Sequence, residues 1–219
     1  MTQDLRARLE AGLRELGLDL ASAQVDTLME FQALLGKWNK VYNLTAVRDP
    51  EEMLTHHLLD SLAAVPSLQR HLAQSHSREG RTAMLDVGSG GGLPGVVFAI
   101  CCPQIDVHCV DTVGKKAAFI QQAAATLRLP NLRGIHSRVE QLSTRYPLIS
   151  CRAFASLADF TNWSRQALEE GGTWLAMKGR HPDDEIAALP AEVQVFHVEP
   201  LKVPGLDAER CILWLRLAA

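Results

Sequence analysis

A glycine-rich segment between an apolar run and a helical pattern is the feature that most constrains the fold of this chain. Residues 86–95 read DVGSGGGLPG and begin at the end of the apolar run at 83–87. Glycine lets a backbone turn sharply and lets a ligand approach it closely, because no Cβ intervenes. Loops of this kind, at the carboxyl edge of a parallel sheet, are where α/β folds bind nucleotides. The segment therefore predicts an α/β fold with a nucleotide site at this edge.

The pattern that follows the loop favours the same fold class. Short apolar runs alternate with helical patterns, which is typical of right-handed crossovers and a mostly parallel sheet. The predicted strands are 83–87, 107–110, 132–135, 148–150 and 173–177, with helices near 95–102, 115–128 and 157–168. Two last runs, 193–198 and 210–217, are joined by a loop without a long helix. They predict an antiparallel hairpin at one edge of the sheet.

The first 66 residues instead follow helical periodicity. One amphipathic stripe consists of leucines at spacings of three and four: Leu5, Leu9, Leu13, Leu16 and Leu20. Asp49, followed by proline and two acids, predicts the start of a later helix. We therefore predict a helical region over residues 1–66, a connection over 67–82 and a ligand-binding α/β domain over 83–219.

Composition excludes several classes of protein. Apolar residues make up 47% of the 219 residues and charged residues 21%, which is typical of globular chains. No apolar run approaches the roughly 18 residues of a membrane-spanning helix, and the start lacks the pattern of a secretory signal. The five cysteines include the adjacent pair Cys101 and Cys102 and no C-x-x-C motif. We therefore expect a cytoplasmic protein with no disulfide framework, no metal and no membrane association.

The formal net charge of −3 does not by itself predict a nucleic-acid partner. Residues 128–180 nevertheless carry eight lysines and arginines against four aspartates and glutamates. This stretch predicts either a local basic face or a set of scattered, solvated arginines, and composition does not distinguish them.

The spacing of the glycines distinguishes among nucleotide cofactors. A dinucleotide fingerprint requires glycine where Leu93 stands, which disfavours an NAD-dependent dehydrogenase. A P-loop requires Gly-Lys-Ser/Thr, which is absent. Asp86 instead precedes Gly88 by two positions, as in the loops of S-adenosylmethionine (SAM) enzymes. A tight turn with a purely structural role is the alternative.

Further features of the chain favour a nucleoside ligand. Asp111 lies 23 residues beyond Gly88 and ends the next predicted strand. A carboxylate there can accept hydrogen bonds from both ribose hydroxyls, although an aspartate that caps the following helix is the alternative. The loop 137–140 follows the third strand, where SAM-binding sheets cover the adenine, and an ordinary helix start is its alternative.

Several sequence blocks resemble those of the bacterial 16S ribosomal RNA guanine-N7 methyltransferase family. Residues 38–46 (WNKVYNLTA) and 53–62 (MLTHHLLDSL) resemble its helical N-terminal signature, and 86–95 resembles its cofactor loop. Further blocks that resemble the family are 137–140, 151–157 (CRAFASL), 176–179 (AMKG) and 204–210 (PGLDAER).

The resemblance implies a class I SAM-dependent methyltransferase fold, with a Rossmann-like, mostly parallel sheet and an antiparallel C-terminal hairpin after a helical region. It implies SAM as the cofactor and methyl transfer to N7 of a guanine in 16S ribosomal RNA, in the decoding region. The small ribosomal subunit is the implied partner. The positions that match the family's SAM contacts are Gly88, Leu93, Val139, Glu140 and Arg152. The loop argument adds Asp86, Gly90 and Asp111.

Guanine N7 carries an available lone pair, so this transfer needs no general base and positioning alone can lower the barrier. We accordingly assign no acid–base catalyst. The candidate substrate contacts are Arg152, Lys178, Arg180, Asn39 and Asn43. Arg152 is predicted to contact the cofactor, the guanine or both. For the lysine a solvated side chain is the alternative, and for the asparagines a helix cap.

Two other functions remain open at this point, and we expect a monomer in each case. A small-molecule SAM-dependent methyltransferase shares the sheet and the loop but does not need the basic stretch at 128–180. A SAM-binding module associated with RNA binds both partners without catalysis.

Cys151 has two interpretations. It is either a nucleophile, as used in methylation at cytosine C5, or a small buried residue without a chemical role.

Overall fold

The computed structural model describes residues 2–74 and 81–218. Its N-terminal part consists of α1 (Thr2–Glu15), α2 (Ser22–Tyr42), α3 (Pro50–Met53), α4 (Asp60–Leu62) and α5 (Val65–Gln74), with a π-helical turn over Leu54–Leu59 between α3 and α4. The predicted start at Asp49 is confirmed, because its Oδ1 accepts from the backbone N–H groups of Glu51 (2.9 Å) and Glu52 (3.1 Å).

The second part alternates strands and helices, as the sequence predicts. Its elements are β1 (Thr82–Val87), α6 (Gly95–Cys101), β2 (Ile105–Asp111), α7 (Gly114–Thr126), β3 (Leu132–His136), β4 (Tyr146–Arg152), α8 (Leu157–Ser164), β5 (Leu168–Lys178), α9 (Asp183–Ala187), β6 (Val193–Leu201) and β7 (Arg210–Leu217), with short 3-10 turns at Val139–Gln141 and Arg165–Ala167.

The seven strands form one sheet in the order β3-β2-β1-β4-β5-β7-β6. Strands β1 to β5 pair in parallel, whereas β7 pairs antiparallel with both β5 and β6. The predicted hairpin at the sheet edge is therefore confirmed. Because β1, β2, β4 and β5 are parallel, their carboxyl ends at Val87, Asp111, Arg152 and Lys178 lie along one edge of the sheet.

The hydrophobic core has two parts, one on each face of the sheet. On one face, Leu9 and Leu28 of the N-terminal helices share a cluster with Val97 of α6 and Phe119 of α7. The other face is a cluster that includes Trp174. The helical region is therefore packed directly on the sheet, which places the turn Leu54–Leu59 near its carboxyl edge.

Helix α5 occupies much of the stretch 67–82, which the sequence assigned to a connection. Ser67 Oγ accepts from Trp214 Nε1 of β7 at 3.2 Å, and Arg70 Nη2 lies 2.5 Å from Glu199 Oε1 of β6. These bonds fix α5 against the antiparallel edge of the sheet. The division into a helical region and a second domain stays a prediction.

No helix in the described ranges, 2–74 and 81–218, is long and apolar enough to cross a bilayer.

Candidate functional site

Two cavities open at the carboxyl edge of the sheet and share Gly88 and Ala153 in their walls. The first, which we call the loop cavity, has a volume of about 490 Å³ and is lined by the glycine loop, the ends of β4 and β5, and parts of the N-terminal helical region. The second, the edge cavity, has about 480 Å³ and lies at the ends of β1 and β2. A ligand with two chemically different ends fits such a pair of cavities.

Gly88 requires the absence of a side chain. Its φ is +68°, in the left-handed region that L residues rarely adopt, and a Cβ there would collide with the ring of Phe154. Phe154 lines the edge cavity and makes an edge contact with Trp163 at a centroid distance of 5.8 Å. Its neighbours Ala153 and Ala155 also have positive φ, 51° and 47°. The turn after β4 is thus strained, as is common at functional sites.

Asp111 lies in the wall of the edge cavity and is only 7% exposed. Its Oδ2 accepts from Gly90 N–H at 3.0 Å, and its Oδ1 accepts from Val113 N–H at 2.8 Å. The bond to Val113 stabilises the start of α7. The alternative interpretation of Asp111, as an aspartate that caps the following helix, therefore describes part of the role of Asp111. A carboxylate keeps further lone pairs beyond these two bonds, and these are available to hydroxyl donors of a ligand.

Asp86 is fully buried and lines neither of the two cavities. Its Oδ1 accepts from Ser150 Oγ of β4 at 2.9 Å, and its Oδ2 accepts from Gly95 N–H at the start of α6 at 3.1 Å. Burial raises its pKa to about 6, although the bond from Ser150 opposes this. The side chain of Asp86 therefore holds the glycine loop between β1 and α6, and its assignment as a cofactor contact stays a prediction.

The remaining predicted cofactor residues line one cavity or the other. Gly90, Leu93 and Arg152 belong to the loop cavity, and Val139 and Glu140 belong to the edge cavity. Together with Asp111, the structure thus places side by side residues from four separate segments of the chain, and their roles toward a cofactor stay predictions.

A cluster of one acid and two arginines, whose contacts with one another the sequence did not indicate, joins the helical region to the sheet. Asp60, 4% exposed, follows the π-helical turn. Its Oδ2 accepts from Arg152 Nη1 and its Oδ1 accepts from Arg210 Nε, each at 2.7 Å. Arg152 also donates to the carbonyl of His56 at 2.9 Å. All four residues line the loop cavity. The sequence did contain one signal for this cluster, namely an aspartate inside an apolar helical segment. A buried carboxylate is stable only when cationic groups pair with it.

A second chain of contacts shapes the loop cavity from the helical side. Asn39 is buried; its Nδ2 donates to the Val47 carbonyl and its Oδ1 accepts from Thr45 N–H, both at 2.9 Å. Thr45 Oγ1 lies 2.8 Å from Nε2 of His57. Asn39 itself does not line the loop cavity, whereas Thr45 and His57 do. The amide of Asn39 therefore holds the segment that carries Thr45, and a substrate contact at Asn39 stays a prediction.

His57 is neutral at neutral pH. Burial, and to a smaller extent the nearby charge of Arg152, lower its pKa to about 4. The imidazole therefore adds no positive charge to the two arginines and the lysine of the loop cavity.

The other candidate substrate contacts lie in three different settings. Lys178 lines the loop cavity, but its Nζ is 2.7 Å from Glu185 Oε2 and donates to the Ala155 carbonyl at 3.1 Å. Arg180 is exposed outside that cavity. Asn43, also exposed, ends α2 in a left-handed conformation and accepts from Arg48. Neither Arg180 nor Asn43 is part of the wall of the loop cavity.

Two other chemical roles find no support in the structure. Burial raises the pKa of the Cys151 thiol well above its usual range, so this side chain stays a protonated, inert core residue. In ranges 2–74 and 81–218, no three His, Cys, Asp or Glu side chains are grouped so as to hold a metal ion.

The residues of the two cavities fit SAM. The edge cavity combines a carboxylate, Asp111, with the apolar side chains of Val113 and Val139, as a ribose and an adenine require. The loop cavity combines glycine backbone with charged side chains, which suits an amino-acid tail. Gly88 and Ala153 lie in the walls of both cavities, so the two cavities are adjacent.

Solved structures of methyltransferases share this fold. A SAM-dependent methyltransferase of Leishmania major aligns with a TM-score of 0.57 at 15% identity, covering 85% of this chain and 83% of that one. Another, from Aquifex aeolicus, aligns with a TM-score of 0.54 at 11% identity, covering 85% and 98%. Coclaurine N-methyltransferase bound to N-methylheliamine and SAH aligns with 0.54 at 12% identity, covering 91% and 74%. The predicted class I methyltransferase fold is confirmed.

Comparison at the level of sequence is more specific. A family model described as rRNA small subunit methyltransferase G matches residues 24–213. The ribosomal RNA small subunit methyltransferase G of Acidovorax sp. (strain JS42) is 72% identical over 215 residues, covering 96% of this chain and 95% of that protein. That of Albidiferax ferrireducens is 58% identical over 222 residues, covering 99% of each. This chain therefore belongs to the rRNA small subunit methyltransferase G family.

Proposed function

We propose that this protein transfers a methyl group from SAM to N7 of a guanine in 16S ribosomal RNA. The observation that carries the proposal is the pair of cavities that share Gly88, with Asp111 in one and the Asp60–Arg152–Arg210 cluster in the other. The membership of the chain in a family of small-subunit rRNA methyltransferases supports both the reaction and the substrate.

The two cavities divide the cofactor between them. Asp111, Val139 and Glu140 hold the nucleoside part in the edge cavity, and Gly90 and Leu93 border the amino-acid part in the loop cavity. When bound, SAM supplies an electrophilic methyl group on a sulfonium. Asp86 and Ser150 keep the glycine loop in the shape that this division requires.

The protein's own contribution to the reaction is positioning. N7 of guanine has a free lone pair, so no proton has to leave the attacking atom, and the neutral His57 beside the cavity is not required as a base. Holding the two reactants in line can lower the barrier by several kcal/mol, up to about 7–11 kcal/mol. Arg152 is fixed by Asp60 and the His56 carbonyl, so its guanidinium is oriented before substrate arrives. We assign its remaining donors to the O6 edge of the guanine.

The RNA contacts follow from the charges around the loop cavity. A base in folded RNA is read when it leaves its stack, and a basic rim holds its backbone. Arg180 is exposed beside the end of β5 and is the cation we assign to a phosphate. We further propose that the target lies in the decoding region of the small subunit, and that a cytoplasmic monomer carries out the reaction.

The decisive experiment uses radiolabelled SAM with three substrates: small subunits that lack the modification, free 16S RNA, and a mixture of metabolites. We expect label on one guanine of the RNA, released by chemistry that cleaves at N7-methylguanine. The Gly88→Asp variant serves as the inactive control. Label in a metabolite instead supports a small-molecule enzyme. Measurable SAM binding without label in any substrate supports a non-catalytic module. Either of these two results overturns the proposal.

A further inference from the structure

A third cavity lies in the helical region, away from the glycine loop. It has a volume of about 720 Å³, is partly open to solvent and is lined by α1, α2, α3 and the loop before α3. Its apolar wall consists of Leu5, Met29, Ala33, Gly36, Pro50 and Met53. Pockets for small organic molecules are mostly apolar and have volumes of about 300–1,000 Å³. We call this space the helical cavity.

Gly36 keeps the helical cavity open. It lies inside the 21-residue helix α2, where glycine destabilises a helix by roughly 0.5–1 kcal/mol relative to alanine. Its φ is not positive, and the nearest atom to a Cβ placed there is Met53 Sδ, at 3.8 Å. Gly12 of α1 differs, since a Cβ there would lie 2.5 Å from Leu59 Cδ2. A side chain at position 12 would therefore displace Leu59, whereas at position 36 the absent side chain leaves space in the cavity.

The polar part of the helical cavity is predominantly cationic. Lys37 and Lys40 are three positions apart on α2, so they lie on the same side of the helix, and Arg48 follows from the next loop. All three are exposed, and neither lysine forms an ion pair within residues 2–74 and 81–218. Arg48 donates to the Asn43 amide, which is uncharged. Glu30 is the one carboxylate of the described wall. This charge balance favours an anionic ligand.

We propose that the helical cavity binds a small amphipathic carboxylate, with its apolar chain between α1 and α2 and its carboxylate at Lys37, Lys40 and Arg48. The apolar wall would contact the hydrocarbon part of this ligand, and the unpaired lysines would bind its carboxylate. The site is separate from the two cavities at the glycine loop, because it shares no lining residue with either. The inference therefore does not depend on the proposed methyl transfer.

The experiment is a calorimetric titration of the full chain with decanoate, below the concentration at which it forms micelles. We expect saturable binding of one molecule per chain. The affinity should rise about fourfold for each methylene group from hexanoate to decanoate, which corresponds to about 0.8 kcal/mol. Decyltrimethylammonium has a similar chain and the opposite charge, and we expect it to bind at least tenfold more weakly.

Substitutions then locate the site. Gly36→Leu places a side chain in the cavity and should lower decanoate affinity at least tenfold, while removing an unfavourable glycine from the helix. Ala33→Leu, from the same face of α2, repeats the test should the first variant fold poorly. Ala23→Leu adds the same side chain at an exposed position of α2 and is the matched control, with unchanged affinity expected. Lys37→Glu with Lys40→Glu should weaken decanoate and strengthen the cationic probe.

Three results overturn the inference. One is the absence of saturable decanoate binding at concentrations up to about 1 mM. Another is binding that folded Gly36→Leu and Ala33→Leu variants leave unchanged. The last is a folded Gly36→Leu variant that loses methylation of small subunits while decanoate binds neither this variant nor the wild type, because the cavity then serves the RNA.

Discussion

Arg152 Nη1 and Asp60 Oδ2 lie 2.7 Å apart, although 92 positions separate the two residues along the chain. The other oxygen of Asp60 accepts from Arg210 at the same distance, 150 positions away. The acid is buried, whereas the arginine side chains keep 16% and 25% of their surface exposed in the loop cavity. One carboxylate thus orients two cations toward the same space.

The Asp60→Asn substitution tests this orientation. The amide keeps the shape but removes the negative charge, so both arginines lose a charge-assisted hydrogen bond. We expect a loss of about 2–3 kcal/mol in the free energy of unfolding, measured by urea denaturation. Methyl transfer to small subunits should fall at least tenfold, because Arg152 is no longer held in place.

Asp106→Asn is the matched control for that substitution. Asp106 pairs with Arg81 at 2.7 Å on the surface, with the two side chains 37% and 47% exposed. Exposed pairs contribute at most about 1 kcal/mol, so stability and activity should change little. Equal effects of the two substitutions contradict the proposed role of Asp60.

Gly88→Asp should abolish SAM binding and leave the circular dichroism spectrum largely unchanged. The new side chain meets the ring of Phe154, lies where the two cavities join and brings a second carboxylate near Asp111. Gly171→Asp is the matched control, since Gly171 also has a positive φ, +71°, and a Cβ at that position would have no atom within 4 Å. If Gly88→Asp binds SAM with wild-type affinity, the glycine loop does not hold the cofactor.

Arg180→Glu should weaken binding to small subunits without a change in SAM affinity. The side chain is exposed outside the loop cavity, and each lost phosphate contact lowers the slope of log affinity against log salt by about 1. Arg145→Glu, an exposed site just before the amino end of β4, reverses a charge at the opposite edge of the sheet and serves as the control. A change of SAM affinity in Arg180→Glu places this residue in the cofactor site instead.

Asp86 should make the folded state less stable as the pH rises, which is opposite to the usual effect of a carboxyl group. Burial raises its pKa from 3.8 to about 6, so between these values the folded state binds more protons than the unfolded state. The free energy of unfolding attributable to Asp86 is therefore highest below the unfolded pKa and is lost as pH rises through about 6. The difference corresponds to about 3 kcal/mol.

Urea denaturation of the wild type and of Asp86→Asn, from about pH 4 to about pH 7, measures this effect. The wild type should lose about 2.4 kcal/mol relative to the variant over that range, since the unfolded state is already partly ionised at about pH 4. His57, whose pKa is lowered to about 4, contributes the opposite slope in both proteins and cancels in the comparison. A difference that is independent of pH shows that Asp86 does not titrate in this range.

The sequence predicted those parts of the fold that depend on local signals. Asp49 begins a helix because its carboxylate reaches the backbone N–H groups two and three residues on. The glycine loop and Asp111 follow successive strands, and parallel pairing brings them to one edge; the bond from Gly90 to Asp111 is the result. Strand alternation and the final hairpin likewise needed only nearby residues.

The parts that the sequence did not predict depend on tertiary contacts. Nothing near Asp60 in the chain indicates which arginines it meets, because they come from the end of β4 and the start of β7. The same holds for Lys178, whose partner Glu185 lies on the next short helix and removes it from the set of free cations. For Asn39 the sequence predicted a helix cap or a substrate contact, and it did not indicate that the amide holds the loop that carries Thr45.

The shared carboxylate of Asp60 also bears on how this family can diverge. A neutral residue at position 60 leaves two guanidinium groups without their negatively charged partner, and loss of one arginine alone leaves the buried acid half satisfied. Each single substitution at these positions therefore lowers the stability of the protein, whereas replacement of all three residues together restores the balance of charge. We expect positions 60, 152 and 210 to co-vary among homologues, so the helical region and the sheet are inherited as one unit rather than exchanged between proteins.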